Sequence, residues 1–158
     1  MPTRGRSQLG DQRIFFVTTT TKAFENSFDT PNRLQKLKDI IAEAVRRHSV
    51  RLYGYVLMPN HIHLLVGIET GGLGLSPFMR DIKSMSWCLI FPNRPGIWMA
   101  GFDDVAVFSE EQFRIKLTYI HNNPVRAGLA TEPEAYRYSS AGVWLRGEVD
   151  DLVTTGFQ

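Results

Sequence analysis

Residues 53 to 67, YGYVLMPNHIHLLVG, are two apolar strand-like runs joined by Met58-Pro59-Asn60. Pro59-Asn60 is turn chemistry, so Arg51 to Leu57 and His61 to Ile68 predict an antiparallel hairpin. The flanks of that hairpin restrict the fold further. Upstream, Arg13 to Thr20 (RIFFVTTT) is rich in aromatic and β-branched residues and reads as a strand. Thr30-Pro31 then supplies a cap and a first-turn proline for a helix with Leu34, Leu37, Ile41, Ala44 and Val45 on one stripe, ending near His48. Downstream, Ser76-Pro77 caps a second helix with Phe78, Ile82, Met85 and Leu89 as its buried face, and Asp104 to Phe108 resumes a short strand. Two strand-helix-strand units sharing one antiparallel sheet, with their helices on one face, make a ferredoxin-like βαββαβ sandwich of the α+β class. The opposite face is left for a last helix. Ser109 with Gln112 gives that helix a capping-box start, and Phe113, Leu117 and Ile120 point inward from it.

A chain of 158 residues suits one domain spanning residues 1–158, with a flexible arm over 1–11 and an irregular tail over 145–158. Apolar residues at 43% and charged residues at 22% exclude collagen-like, coiled-coil and disordered classes. The net charge is only +2, yet thirteen of the eighteen basic residues are Arg, the side chain whose planar fork matches phosphate oxygens. The single Cys88 excludes an internal disulfide framework and a multi-cysteine zinc site, and is read as a core residue. The basic, polar N-terminus and the lack of any long apolar run predict a cytoplasmic protein without membrane contact.

Side chains alternate along a strand, so His61 and His63 face the same way about 6.6 Å apart while Ile62 faces the opposite layer. Two imidazoles so placed can converge on one metal ion; the bare pattern equally fits one core histidine and one exposed one. The segment RIKLTYIHNNPVRAGL, residues 114–129, leaves a parallel choice. If the helix persists through Asn123, then Lys116, Tyr119 and Asn123 share one surface at one-turn spacing. Otherwise Asn123 caps a short new turn with Pro124 at its first position and Gly128 closing it. Arg80, Lys83 and Trp87, on the outer side of the second helix, combine charge with a stacking plane, as single-strand binding requires; a solvated helix face is the alternative. Arg4 and Arg6 are candidates for a nucleic-acid groove or a loose arm.

Taken together, YVLMPNHIHLLV and YIHNNPVRAGL, separated by a helix carrying Ile82-Lys83-Ser84 and by the Trp98 to Asp104 segment, resemble the REP-associated tyrosine transposases. These are single-tyrosine HUH (His, hydrophobic, His) transposases of the insertion-sequence-200-like type, and the resemblance runs from about residue 12 to 141. It implies a nuclease domain that cuts and rejoins single-stranded DNA near hairpins through a 5′-phosphotyrosine intermediate. By position, Tyr119 corresponds to the nucleophile, and His61, His63 and Asn123 to the ligands of a divalent metal, Mg²⁺ or Mn²⁺. The implied partner is single-stranded or hairpin DNA, contacted by Arg80, Lys83, Trp87, Lys116 and Arg126. The resemblance leaves monomer or homodimer open and implies no small-molecule cofactor. One departure is GFDDVAVFS, residues 101–109, acidic and apolar where family members commonly carry a more basic stretch. The competing functions are an inactive hairpin-binding module and a nicking enzyme of the replication-initiator type.

Overall fold

The structure, a computed structural model, describes residues 12–94 and 96–156. The arm with Arg4 and Arg6 lies outside the described residues. The elements run β1 (Gln12–Thr20), α1 (Pro31–Arg47), β2 (Arg51–Leu57), β3 (His61–Glu69), α2 (Ser76–Ile90), β4 (Asp103–Val107), α3 (Glu110–Arg126) and α4 (Ala141–Arg146), with short 3-10 turns at Lys22–Phe24 and Pro133–Ala135. The four strands form one antiparallel sheet in the order β2-β3-β1-β4, the expected βαββαβ topology. Among the described residues no helix is long and apolar enough to cross a membrane.

Strand alternation builds two different layers. Val17, Ile62, Leu64 and Val66 join Leu37, Ile41, Phe78 and Ile82 in the layer under α1 and α2. Ile14, Phe16 and Leu65 join Phe113, Leu117 and Ile120 in a smaller layer under α3. Gly54 is what lets α3 come so close, because a Cβ there would meet Leu117 Cδ1 at 2.6 Å. The β2 edge is covered by the C-terminal segment: Leu57 N–H donates to Tyr138 O (2.8 Å), and Ser140 N–H to Tyr55 O (3.0 Å). Gly147, at φ +69°, ends α4, and no helix or strand follows it through residue 156.

Local chemistry sets the helix starts. Thr30 Oγ1 accepts from Arg33 N–H at 3.2 Å, and Ser109 Oγ accepts from Gln112 N–H at 3.1 Å. The start of α2 differs from expectation: its cap is Leu75, and Ser76 lies inside the first turn with no capping bond. The buried face also differs, being Phe78, Met79, Ile82 and Ser86, with Leu89 61% exposed. Cys88 is exposed as well, contrary to the core reading. Met85 and Leu89 line an open groove with Lys36, Ile40 and Glu43 of α1. Apolar spacing fixes a helical face, but not how completely neighbouring elements cover it.

Candidate active site

The unresolved choice at Asn123-Pro124 falls to a continuous helix. α3 runs through Pro124 to Arg126, so Tyr119 and Asn123 stand one turn apart on one face. Proline removes only the bond to Ile120 O, and the turn is then closed by Ala127 N–H to Asn123 O (3.0 Å) and Leu129 N–H to Pro124 O (2.8 Å). Gly128, at φ +76°, ends the helix as its position suggested.

This face of α3 lies over the start of β3. The His61 and His63 rings are 4.9 Å apart between centroids, and His63 is 5.4 Å from the Tyr119 ring. Phe16 stacks on His63 at 5.1 Å and meets Tyr119 edge-on at 5.8 Å, so both functional rings rest on one aromatic support from β1. The Asn123 side chain lies close enough to His61 to raise its pKa against the effect of burial. Four residues from two distant segments thus share one polar patch beside the α3 core. His63 and Asn123 are buried, while Tyr119 is 41% exposed.

Each imidazole is oriented from behind. His61 Nδ1 is 2.7 Å from Asn60 Oδ1, and His63 Nδ1 is 2.8 Å from Thr18 Oγ1. An amide oxygen only accepts, so His61 carries its proton on Nδ1 and presents Nε2 as a lone pair; His63 does the same when it donates to Thr18. Burial pushes the His63 pKa down to about 3, helped by the nearby charges of His61, Arg126 and Lys116. Burial also lowers His61, with the Asn123 side chain opposing it. Both rings are therefore neutral donors at neutral pH. Among the described residues no group of three or more His, Cys, Asp or Glu side chains that could hold a metal ion is found.

The remaining expected residues divide. Arg126 lies over the Tyr119 ring at 4.2 Å, and Lys116 over Phe16 at 4.8 Å, so both cations edge the patch. Arg80, Lys83 and Trp87 sit on α2, across the sheet from Tyr119. Of these, Lys83 has a structural tie: its Nζ donates to Met99 O at 2.9 Å and also to Gly101 O, and burial lowers its pKa. Trp87 is exposed on the same helix. Sequence reasoning did not single out Thr18, Asn60 or Phe16. Strand alternation places Phe16 and Thr18 on one face, but only the register, in which Thr18 pairs with His63, brings the hydroxyl to the ring. His121 was also passed over; its Nε2 lies 2.8 Å from Ser140 Oγ, locking α3 to the C-terminal segment, and burial lowers its pKa to about 4.

An antiparallel sheet that brings a histidine pair to a tyrosine on a helix across its face defines a structural class of α+β fold. Within it, residues 12–123 match the model of the family described as Transposase IS200 like, and the chain belongs to that family. It is 25% identical over 109 residues to the REP-associated tyrosine transposase of Escherichia coli (strain K12), a match covering 67% of this chain and 63% of that relative's length. Its fold resembles a solved REP-associated tyrosine transposase bound to a REP hairpin, with TM-score 0.75, 20% identity, and 92% of this chain and 87% of that chain covered. A crystal structure from Deinococcus radiodurans shares the fold at TM-score 0.53 and 22% identity, over 70% of this chain and 90% of that one.

Proposed function

We propose that the protein is a DNA endonuclease and strand-transferase of the transposase type, cutting single-stranded DNA near hairpins through Tyr119. The carrying observation is the meeting of His61, His63, Tyr119 and Asn123, which a binding module would have no need to assemble from two separate segments. That the similar solved structure is described as bound to a REP hairpin supports a hairpin substrate for this chain. The E. coli relative bears the name of the same transposase group.

In the proposed reaction Tyr119 Oη attacks the scissile phosphorus while the bond to the 3′ oxygen breaks. The phenolic proton is lost, the leaving oxygen gains one and departs as a 3′ hydroxyl, and the 5′ phosphate stays on Tyr119 as an ester. Attack by a 3′ hydroxyl on that ester reverses the step and joins strands without ATP. His61, His63 and Asn123 fit a divalent ion, Mg²⁺ or Mn²⁺, because two neutral Nε2 atoms and an amide leave its full charge for anionic phosphate oxygens. When bound, that ion supplies Lewis-acid polarisation of the phosphate. Phe16 fixes the relative tilt of the His63 and Tyr119 rings. Arg126 and Lys116 bring fixed positive charge to the phosphate and shield its approach to Tyr119.

The test is incubation with a labelled single-stranded hairpin oligonucleotide and Mn²⁺ or Mg²⁺. A denaturation-resistant protein–DNA adduct is expected, and its loss in Tyr119→Phe. Retained hairpin binding with no adduct across varied oligonucleotides would favour the inactive binding module.

A further inference from the structure

Next to the histidine pair the chain holds a conformation that its residues disfavour. Ala23 and Phe24 stand at φ +57° and φ +54°, in the left-handed region that a bulky side chain seldom enters. Neither is a glycine, and Phe24 gains no burial in return, since it is 64% exposed. Strain of this kind persists only where the surroundings enforce it, and it gathers at functional positions.

Here the enforcement is visible. Thr21 N–H donates to Asn60 O (2.9 Å), Lys22 N–H to Ile97 O (2.8 Å), and Met99 N–H to Thr20 O (2.9 Å), clamping the turn on both sides. Thr21 Oγ1 bonds Glu25 O at 2.7 Å across its mouth. The clamp is continuous with the site: Thr20 pairs with His61, and Asn60, which anchors Thr21, also holds the His61 ring. Four residues from Thr20 span at most about 14 Å, which bounds how far Phe24 can stand from Thr20, the strand partner of His61. The turn carries positive charge as well. It borders a cleft lined by Lys22, Ala23, Glu25, Arg94, Gly96 and Ile97; Glu25 pairs with Arg94 at 3.0 Å, while Lys22 has no ion pair among the described residues.

We infer that this left-handed turn is a second single-strand contact, in which Phe24 stacks on one unpaired base near the cleaved bond and Lys22 meets the adjoining phosphate. The inference rests on the strand-transfer reading of the Tyr119 site and adds to it a place for the flanking strand. A rigid, exposed aromatic beside a cation is the combination that grips single strands without base-edge readout.

Anisotropy titrations with a series of hairpin oligonucleotides, each abasic at one flanking position, test it, alongside the adduct assay. With the intact oligonucleotide Phe24→Ala binds about 5–160-fold more weakly and Phe24→Trp binds as wild type, the range being that of one base–aromatic stack. One abasic position removes the difference between wild type and Phe24→Ala, and the others preserve it. Phe24→Gly, which suits φ +54°, weakens binding equally without lowering Tm. Unchanged affinity in Phe24→Ala while wild type still binds and forms the Tyr119 adduct overturns this inference alone. A shift in oligomeric state without an affinity change also overturns it, assigning the turn to a protein contact. A wild type that forms no adduct counts instead against the parent reading.

Discussion

The two faces of one sheet follow different rules. His63 and Leu64 are neighbours on β3, yet Leu64 sits in a closed apolar layer under α1 and α2, while His63 sits under α3 among Thr18, Phe16 and Tyr119. Under the two helices the buried cluster is built almost wholly of apolar and aromatic side chains, with Ser86 turned back onto the backbone of its own helix. Under α3 the apolar packing of Phe113, Leu117 and Ile120 gives way, at the open end of β3, to imidazoles, a hydroxyl, an amide and a phenol. Burying polar groups is costly unless they are paired. Here His63 Nδ1 is paired with Thr18 Oγ1 and His61 Nδ1 with Asn60 Oδ1. One face supplies stability, so the other is free to carry chemistry.

The adjacent pair gives the sharpest way to break this contrast. His63→Ala should reduce cleavage by more than the roughly 100-fold typical of losing an outer-shell partner, with most single-strand affinity retained, since Lys and Arg contacts with phosphate supply that affinity. Parallel loss of binding and cleavage would put His63 in the fold rather than the chemistry. Leu64→Ala should do the reverse, costing about 2–5 kcal/mol in chemical denaturation while adduct formation per folded molecule is kept.

Acid should act on the α3 face. His63 and His121 have folded pKa values lowered from 6.5 to about 3 and about 4, chiefly by burial. Their unfolded forms therefore take up protons first, so the stability they permit is complete above pH 6.5 and is lost as pH falls from there toward pH 4 and pH 3. For metal-free protein, denaturation at pH 5 should show a loss of a few kcal/mol against pH 7. A flat profile between those values would mean these rings are better solvated than their burial implies. The smallest effect is expected from Thr18→Val, which keeps the shape but removes the oxygen behind His63: about 10–100-fold weaker metal binding by titration, with Tm little changed.

Much of the scaffold was legible because local chemistry and tertiary packing agree. Pro59-Asn60 and alternation fixed the hairpin to within a residue, and Thr30 and Ser109 marked true helix starts. The candidate residues His61, His63 and Tyr119 were nameable from motif resemblance, whereas the place of Asn123 one turn after Tyr119 depended on α3 continuing through Pro124, which Asn123-Pro124 leaves undecided on local grounds. Thr18 and Asn60 were hidden because cross-strand register and a backbone turn, not composition, bring them to the rings. Leu89 and Cys88 were misread because the apolar period of α2 marks a face without showing how completely its neighbours cover it.

The most direct measurement of the central claim is mass-spectrometric mapping of the DNA adduct formed with divalent ion. The account predicts a nucleotide remnant on the peptide containing Tyr119, present in wild type and absent from His61→Ala and His63→Ala proteins that remain folded. A remnant on any other side chain, or an undiminished one on Tyr119 after both histidines are replaced, would contradict it.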